Sequence, residues 1–270
     1  MPTIYDHPLY YDILFGWDRD AEAASYDAIL RVHSPARSAR VLDVGCGSGQ
    51  LSIRLAALGW KVIGLDHSQA MLDYQAQASD AAGVELASLP ADMCDFTIPR
   101  PLAGAVCALG SLGLLANDTE VAAHLQSMAA ALEPRAPYVL DLGLGQPEGP
   151  GSGVEDTWEM ARDGISVSAT PEAILVADPE LDAPLELTWG GPLRSFTASD
   201  FEGLVVDSGV FTVVGHHPET HRGSDDVSRF DSELRPGLAT GRALVVRELC
   251  QGWDVQGVPT TPQLPADPSP

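Results

Sequence analysis

Positive charge is scarce in this sequence. Its 270 residues include 15 Lys and Arg against 38 Asp and Glu, which gives a formal net charge of -23 and an isoelectric point of about 4.3. Nucleic acids and anionic membrane surfaces attract proteins through Lys and Arg, so this balance argues against either as a partner. The excess of carboxylates is sufficiently explained by solubility.

Cysteine and long apolar runs are also scarce. The four cysteines, Cys46, Cys94, Cys107 and Cys250, match neither a paired-cysteine motif nor zinc-ligand spacing, so we expect free thiols and no metal site. No stretch approaches the ~18 uninterrupted apolar residues that would span a membrane. The opening residues lack the basic and apolar segments of a secretory signal. These absences predict a cytoplasmic protein.

Apolar runs alternate with helical patterns through the first half of the chain. The apolar runs predict buried strands at residues 40–44, 61–65, 84–88, 105–109 and 138–142. Between them, capping residues and glycines predict helices, with Asp18 or Asp20, Ser68 and Asp118 as their N-caps. Alternating strands and helices imply a parallel sheet that is covered on both faces and binds ligands at the carboxyl ends of its strands.

After about residue 150 the pattern changes. Asp163-Gly164 lies between alternating segments and predicts a tight hairpin within residues 158–168. Further strands are predicted at residues 174–177, 185–189, 210–215 and 242–249, with a helix capped by Thr197 that ends near residue 208. We therefore expect a doubly wound, Rossmann-like α/β fold. Its seven-stranded, mostly parallel sheet would carry an antiparallel β cap inserted after strand 5.

These elements predict one domain over residues 1–250. Within it we expect an N-terminal lid and helix at about residues 1–35 and the inserted cap at about residues 154–190. The proline-rich tail, residues 251–270, has little apolar periodicity and is expected to be disordered.

The strongest motif is the glycine-rich turn that runs from Asp43 to Gly49. Alternating glycines let the backbone turn sharply and approach a ligand closely, and the amides that open the next helix favour an anionic group. Dinucleotides prefer G-x-G-x-x-G, but the third glycine position is Gln50 here, so that fingerprint fails. Asp66 ends the next strand roughly 20 residues later, where a carboxylate can accept hydrogen bonds from ribose hydroxyls.

The stretch from Val41 to Leu142 resembles the class I S-adenosylmethionine (SAM)-dependent methyltransferases, and most of all their bacterial small-molecule branch. Val-Leu-Asp-Val-Gly-Cys-Gly-Ser-Gly, starting at Val41, is similar to the first motif of that family. The segment from Gly64 to Leu72 resembles its second motif, and Ala91-Asp-Met93 resembles the segment that meets the adenine.

The resemblance implies that SAM is the cofactor. It implies cofactor contacts at Asp43, Gly45, Cys46, Gly47, Asp66, His67, Met71, Asp92, Met93 and Leu109. In this assignment Asp43 lies near the methionine amino group, Asp66 holds the ribose, Asp92 and Met93 face the adenine, and Leu109 forms the wall near the methyl donor. Met71 and His67 have alternative readings, as a core residue and as a solvent-exposed loop residue.

The acceptor side is less defined by the sequence. Tyr10, Tyr11 and Trp158 are candidates for substrate contacts, although aromatic residues here can equally anchor the N-terminal segment and fill a core. His7, His67 and Asp141 are other polar residues expected near the pocket, and no nucleophile–base pair stands out. The catalytic residues therefore stay unassigned, and a general base is needed only if the acceptor must lose a proton.

These features predict a SAM-dependent methyltransferase that acts on a small-molecule acceptor by in-line displacement, as a monomer or homodimer. A non-catalytic SAM-binding regulatory or structural protein is the main alternative, because binding and turnover use the same residues. Gln50 argues against an NAD-dependent oxidoreductase. The segment Leu109 to Gly113 lacks the acidic pair that an aminopropyl transferase would need.

Overall fold

The computed structural model describes residues 1–34, 39–143, 157–217 and 242–249. Its α-helices are α1 (Pro8–Leu14), α2 (Asp20–His33), α3 (Gln50–Ala57), α4 (Gln69–Ala82), α5 (Asp118–Ala131) and α6 (Ala198–Ser208). Its strands are β1 (Arg40–Val44), β2 (Lys61–Asp66), β3 (Leu86–Pro90), β4 (Gly104–Cys107), β5 (Pro137–Gly143), β6 (Trp158–Arg162), β7 (Ile165–Ala169), β8 (Ile174–Ala177), β9 (Leu185–Leu187), β10 (Phe211–His217) and β11 (Arg242–Leu249). The predicted disordered tail lies outside the described residues.

The strands form two sheets. The larger sheet has the order β10-β11-β5-β4-β1-β2-β3, and each pairing within it is parallel. A separate antiparallel sheet follows β5 in the chain, in the order β6-β7-β8-β9. The predicted Rossmann-like α/β class, with a parallel sheet and a second antiparallel one, is confirmed.

Strand β1 lies inside the parallel sheet, between β4 and β2, and four of its five residues are buried. Asp43 pairs in register with Gly64 of β2 on one side and with Val106 of β4 on the other. One apolar cluster packs β4, β5 and α5 on one face of this sheet. A second cluster packs α2 and α3 on the opposite face. The carboxyl ends of β1, β2 and β4 are thereby held side by side at one edge of the sheet.

Two predicted helix caps are confirmed, and two are wrong. The Ser68 hydroxyl accepts a hydrogen bond from the Met71 amide, and Thr197 caps α6 in the same way. Asn117, not Asp118, caps α5, because its side-chain oxygen accepts the Glu120 amide at 3.0 Å. Neither Asp18 nor Asp20 caps α2, whose N-cap is Arg19. The Asp18 carboxylate instead closes a local turn by accepting the Asp20 amide.

The antiparallel sheet is built around the predicted hairpin. Asp163 and Gly164 both have positive φ, +53° and +84°, as a two-residue turn between β6 and β7 requires. The inner face of this sheet packs against the N-terminal helix α1 in a third apolar cluster. The chain start is also bound to it, since the amide of Ile4 donates to the carbonyl of Thr188 at 3.0 Å.

Within the described ranges, every helix is too short or too polar to cross a lipid bilayer. Cys46, Cys94 and Cys107 are free thiols in the same ranges. The predicted strand boundaries are off by up to two residues, since β3 begins at Leu86 instead of residue 84. Strand β4 ends at Cys107 and leaves Leu109 in the loop that follows.

Candidate functional site

The glycine-rich turn leaves β1 with three glycines in the left-handed region of backbone space. The φ angle is +66° at Gly45, +52° at Gly47 and +86° at Gly49, a conformation that side chains rarely adopt. The amides of Gly45 and Cys46 both donate to the carbonyl of Leu65, at 2.8 and 3.0 Å. The turn is therefore bound to the end of β2, and its glycines are required by its backbone path.

Side chains from three elements surround this turn. A Cβ at Gly47 would lie 3.1 Å from the Tyr11 ring, which α1 places against it. A Cβ at Gly45 would lie 3.2 Å from that of Ser111 and 3.9 Å from the terminal methyl of Met93. The structure thus brings Tyr11 and Met93, two predicted site residues distant in sequence, to the predicted turn.

Asp66 stands at the end of β2 beside the turn. One of its carboxylate oxygens accepts the Gly47 amide at 2.9 Å, and the other accepts the Ser68 amide at 2.9 Å. Each oxygen keeps a further lone pair, so the carboxylate can accept hydrogen bonds from a ligand hydroxyl as well. His67 does not join this arrangement, because its ring is 77% exposed and lies 3.7 Å from the Asp66 carboxylate.

A small cavity, open in part to solvent, lies over the carboxyl ends of β1 and β4. Three stretches of chain form it: the region of α1 and α2, the glycine turn with the start of α3, and the loop after β4. Its lining residues are Tyr11, Phe15, Arg19, Asp43, Gly45, Cys46, Ser48, Gln50, Leu51, Ala108, Leu109 and Ser111.

Opposite charges line this cavity. The Arg19 guanidinium is buried and donates to both carboxylate oxygens of Glu22, at 2.6 and 2.9 Å. Asp43 is also buried; burial raises the pKa of Asp43 to about 6, although the Ser52 hydroxyl donates to its carboxylate at 2.6 Å. Within the part of the chain that the structure describes, the buried Ser48 hydroxyl has no hydrogen-bond partner. A zwitterionic ligand with a hydrogen-bonding group is complementary to these three side chains.

Sequence reasoning missed two of these three residues. Arg19 lies in the first turn region of α2, and no local pattern marks a single arginine as a cavity residue. Ser48 stands inside the glycine motif, so its position was visible in the sequence, but nothing there indicated that its hydroxyl would be buried without a partner.

Leu109 reaches the cavity from the loop after β4 in a strained conformation. Its φ is +55°, which is uncommon for a residue with a side chain. The Asp141 carboxylate accepts the Leu109 amide at 3.3 Å and also accepts the Tyr26 hydroxyl, deep in the core. Asp141, a polar candidate from the sequence, therefore supports the cavity wall from behind.

The predicted adenine segment follows β3. Asp92 is exposed, and its carboxylate accepts the Cys94 amide at 2.7 Å in a local turn. The side chain of Met93 is half-buried and extends toward Gly45. Met71 lies on α4 and is 1% exposed, which matches its alternative reading as a core residue.

The predicted acceptor residues divide into two groups. Tyr11 lies against the glycine turn, as described above. Tyr10 donates its hydroxyl to the Asp178 carboxylate at 2.8 Å, and the Trp158 indole donates to the Leu14 carbonyl at 3.3 Å. Tyr10 and Trp158 therefore bind α1 to the antiparallel sheet, and neither is among the residues that line the cavity.

Asp12 is a buried junction that sequence reasoning did not identify. Its carboxylate accepts Arg162 of β6 at 2.7 Å, the Tyr74 hydroxyl of α4 at 3.0 Å and the Gln50 side chain of α3 at 2.8 Å. A single carboxylate on α1 thus joins the N-terminal segment to the antiparallel sheet and to helices α3 and α4. Gln50, which replaces the third glycine of the dinucleotide motif, has a defined structural role in this contact.

Comparison with known proteins bears on this site. Residues 41–135 match the family described as methyltransferase domain. Over 134 residues the chain is 34% identical to dTDP-3-amino-3,6-dideoxy-alpha-D-glucopyranose N,N-dimethyltransferase of Streptomyces fradiae. This similarity covers 48% of this chain and 51% of that protein. The chain spans about half the length of the curated relatives it matches.

Solved structures are similar over a larger share of the chain. The crystal structure of Streptomyces venezuelae DesVI is 25% identical, with a TM-score of 0.61, and the similarity covers 75% of this chain and 87% of that one. SAM-bound CalS10, described as an amino pentose methyltransferase from Micromonospora echinaspora, is 25% identical with a TM-score of 0.55, over 72% and 84% of the two chains.

Proposed function

Because the chain carries a class I SAM-dependent methyltransferase domain, which residues 41–135 match, we propose that it transfers the methyl group of SAM to a small-molecule acceptor. The observation that carries this proposal is the cavity at the glycine turn, lined by the buried and oppositely charged Arg19 and Asp43. Its charges are arranged for the amino-acid end of SAM.

The residues present fit that end of the cofactor. Asp43 would accept hydrogen bonds from the ammonium group, which would stabilise a carboxylate whose pKa burial raises to about 6. Arg19 would face the carboxylate, and the Ser48 hydroxyl, buried without a partner among the described residues, would gain one. Buried polar groups in proteins are normally paired, so the unpaired hydroxyl supports a ligand at this position.

The remaining predicted contacts are proposed in the same orientation. Asp66 would accept the ribose hydroxyls with the lone pairs that the two backbone amides leave free. Asp92 and Met93 would lie along the adenine. Cys46 and the flanking glycines would contact the methionine chain with their backbone. His67 would have to contact the cofactor with a ring that faces solvent, and Met71 with a side chain that lies in the core.

When bound, SAM supplies a methyl group on a positively charged sulfur, which is already reactive toward a nucleophile. The protein then has to orient the acceptor and exclude water. Leu109 provides an apolar wall whose backbone Asp141 holds in place. Tyr11 and Phe15 cover the cavity from the side of α1. No residue on the wall is a strong base, which suits an acceptor that attacks as a neutral amine.

We propose an amine-bearing small molecule, such as an amino sugar, as the acceptor. The similar proteins from Streptomyces fradiae and Micromonospora are named for amino sugar methylation. The antiparallel sheet, together with the N-terminal segment packed on it, would act as the predicted cap on the acceptor side. On this proposal residues 1–250 function as one domain.

The alternative of a non-catalytic SAM-binding protein has no support, since the relatives are named as methyltransferases. Titration calorimetry with SAM tests the cofactor assignment first, and a dissociation constant above about 1 mM would contradict it. Asp66→Ala should weaken SAM binding by more than about 1.5 kcal/mol. The matched control is Asp73→Ala, which removes an exposed α4 carboxylate bound to Gln69.

Turnover is tested separately with a panel of small amines. Release of S-adenosylhomocysteine should rise with amino sugars and stay at background with neutral sugars that lack the amine. Tight SAM binding without product release from any acceptor in the panel would favour the non-catalytic alternative.

A further inference from the structure

His124 occupies a buried position on α5 that the proposed reaction does not use. Its side chain has no solvent exposure, and both ring nitrogens are engaged. Nδ1 lies 2.9 Å from the carbonyl oxygen of Met93, and Nε2 lies 2.6 Å from the hydroxyl of Tyr138 on β5. A polar ring fully enclosed in a core has to satisfy both nitrogens there.

The partners determine which nitrogen carries the proton. The Met93 carbonyl can only accept, so Nδ1 must donate to it. A neutral imidazole then presents Nε2 as an acceptor, and the Tyr138 hydroxyl donates to it. The hydrogen bonds run from β5 through α5 to the loop after β3.

Burial lowers the pKa of His124 to about 4, so the ring stays neutral near pH 7. The donor at Nδ1 and the acceptor at Nε2 are therefore both preserved at that pH. This constancy suits a positioning role, because the bond to Met93 would not change with the charge of the ring.

A second side chain of α5 contacts the same loop. One turn after His124, the Ser127 hydroxyl donates to the Cys94 carbonyl at 2.8 Å. Residues three apart on a helix share a face, so α5 binds two consecutive carbonyls of the segment Asp92–Asp95. The loop also has its own internal turn, in which Asp92 accepts the Cys94 amide. The contacts with α5 and the internal turn therefore both hold the loop in its conformation.

We propose that His124 is a positioning residue for the adenine subsite, acting through the Met93 carbonyl to hold Asp92 and Met93 where they meet the base. The inference rests on the proposed function, since it needs SAM bound with its adenine at this loop. His124 itself would touch no part of the cofactor. Without its bond to Met93 the loop would retain the Ser127 contact, the bond of the Cys94 thiol to the Glu120 carbonyl and its internal turn.

Two isosteric variants separate this role from simple packing. The side-chain amide of Asn can place its nitrogen where Nδ1 stands and still donate to Met93, whereas Gln reaches toward Tyr138 and loses that donor. We would measure binding of S-adenosylhomocysteine and of S-inosylhomocysteine, in which an oxygen replaces the exocyclic amine of adenine. Calorimetry on the wild type, His124→Asn and His124→Gln gives the preference of each protein for adenine.

The wild type should prefer S-adenosylhomocysteine at least about tenfold, which is ~1.4 kcal/mol. His124→Gln should lose most of this preference, and His124→Asn should keep most of it. An equal preference in all three proteins, or none in the wild type, overturns the positioning role. Failure of the wild type to bind S-adenosylhomocysteine instead overturns the proposed function.

Thermal unfolding accompanies these measurements. If His124→Gln does not fold, Ser127→Ala provides the same test from a half-buried position. It removes the adjacent bond to Cys94 and should reduce the preference for adenine by a smaller factor. An unchanged preference in Ser127→Ala would then overturn the proposal.

Discussion

The Asp141 carboxylate accepts the backbone amide of Leu109 at 3.3 Å, and this contact supports a residue with a left-handed backbone. Such a conformation costs about 1–2 kcal/mol for a residue with a side chain. Asp141 also accepts the Tyr26 hydroxyl, so α2 and β5 together hold the loop after β4. The wall of the cavity beside the proposed methyl donor is therefore set by a buried carboxylate behind it.

Removing this carboxylate should destabilise the fold. Asp141→Ala leaves the Leu109 amide and the Tyr26 hydroxyl without their acceptor, and we expect a loss of about 2–4 kcal/mol in the free energy of unfolding. Tyr26→Phe is the matched control, because it removes one donor and leaves the Leu109 contact in place; about 1 kcal/mol is expected. Urea denaturation measures both, and equal losses would contradict the supporting role of Asp141.

SAM affinity should depend on pH through Asp43. Since burial raises the pKa of Asp43 to about 6, the carboxyl group holds a proton below that pH and cannot pair with an ammonium group. We expect affinity to be constant above pH 7 and to fall by about tenfold for each pH unit below 6. Calorimetry between pH 5 and 8 measures the profile, and a flat profile would exclude the pairing.

Asp43→Asn provides the control for this profile and measures how much stability the fold loses by burying the Asp43 carboxylate. The variant should bind SAM weakly with little dependence on pH. In the wild type the folded carboxyl keeps its proton to a higher pH than the unfolded one, so stability falls as pH rises from about 4 through 6. Asp43→Asn should therefore be more stable than the wild type at pH 8, by up to about 3 kcal/mol, and the difference should vanish below pH 4.

Gly47→Ala should impair ligand binding as well as stability, and alanine at a second glycine separates the two effects. Gly47 and Gly83 both have left-handed φ, +52° and +69°, but a Cβ at Gly83 would meet nothing within 4 Å. Both alanine variants should lose about 1–2 kcal/mol of stability. Gly47→Ala alone should weaken SAM binding, by at least about tenfold, because its methyl group displaces Tyr11. Similar SAM affinities in the two variants would contradict this account.

Asp12→Ala should loosen the N-terminal segment. The variant removes the common acceptor of Arg162, Tyr74 and Gln50, so α1 loses its polar contacts with β6, α4 and α3. We expect faster proteolytic cleavage near α1 and weaker SAM binding, with about 2–3 kcal/mol lost in stability. Asp6→Ala is the control, since the exposed Asp6 bonds to Thr3 within its own turn and, among the described residues, joins no other element by a hydrogen bond. It should leave the cleavage rate unchanged.

The sequence was sufficient to predict the parallel sheet and the glycine turn at the candidate site. Its signals there are local: a run of glycines that needs positive φ, an acid at the end of the following strand, and a two-residue turn at Asp163-Gly164. Such signals lie within a few residues of the geometry they predict. The family resemblance added Met93, whose side chain the structure brings to Gly45.

The missed residues share a different property. Asp12 and His124 bind partners on other elements, such as Arg162, which lies 150 residues from Asp12 in the chain, and Arg19 lines a cavity with residues distant in sequence. No spacing within a single sequence reports such a contact. The contacts of Tyr10 and Trp158 could not be predicted for the same reason. An aromatic pattern predicts burial, but only the packing of α1 on the antiparallel sheet shows what these side chains contact.

The Tyr11 ring lies against Gly47 where a Cβ would otherwise stand. The outer side of the glycine turn is thus covered by the chain's own first α-helix, and we expect that helix to withdraw when a ligand is exchanged past this point. We therefore expect departure of S-adenosylhomocysteine, rather than the transfer of the methyl group, to limit the steady-state rate. A pre-steady-state burst of methylated product in wild type, diminished in Asp12→Ala, would be the kinetic signature of this arrangement.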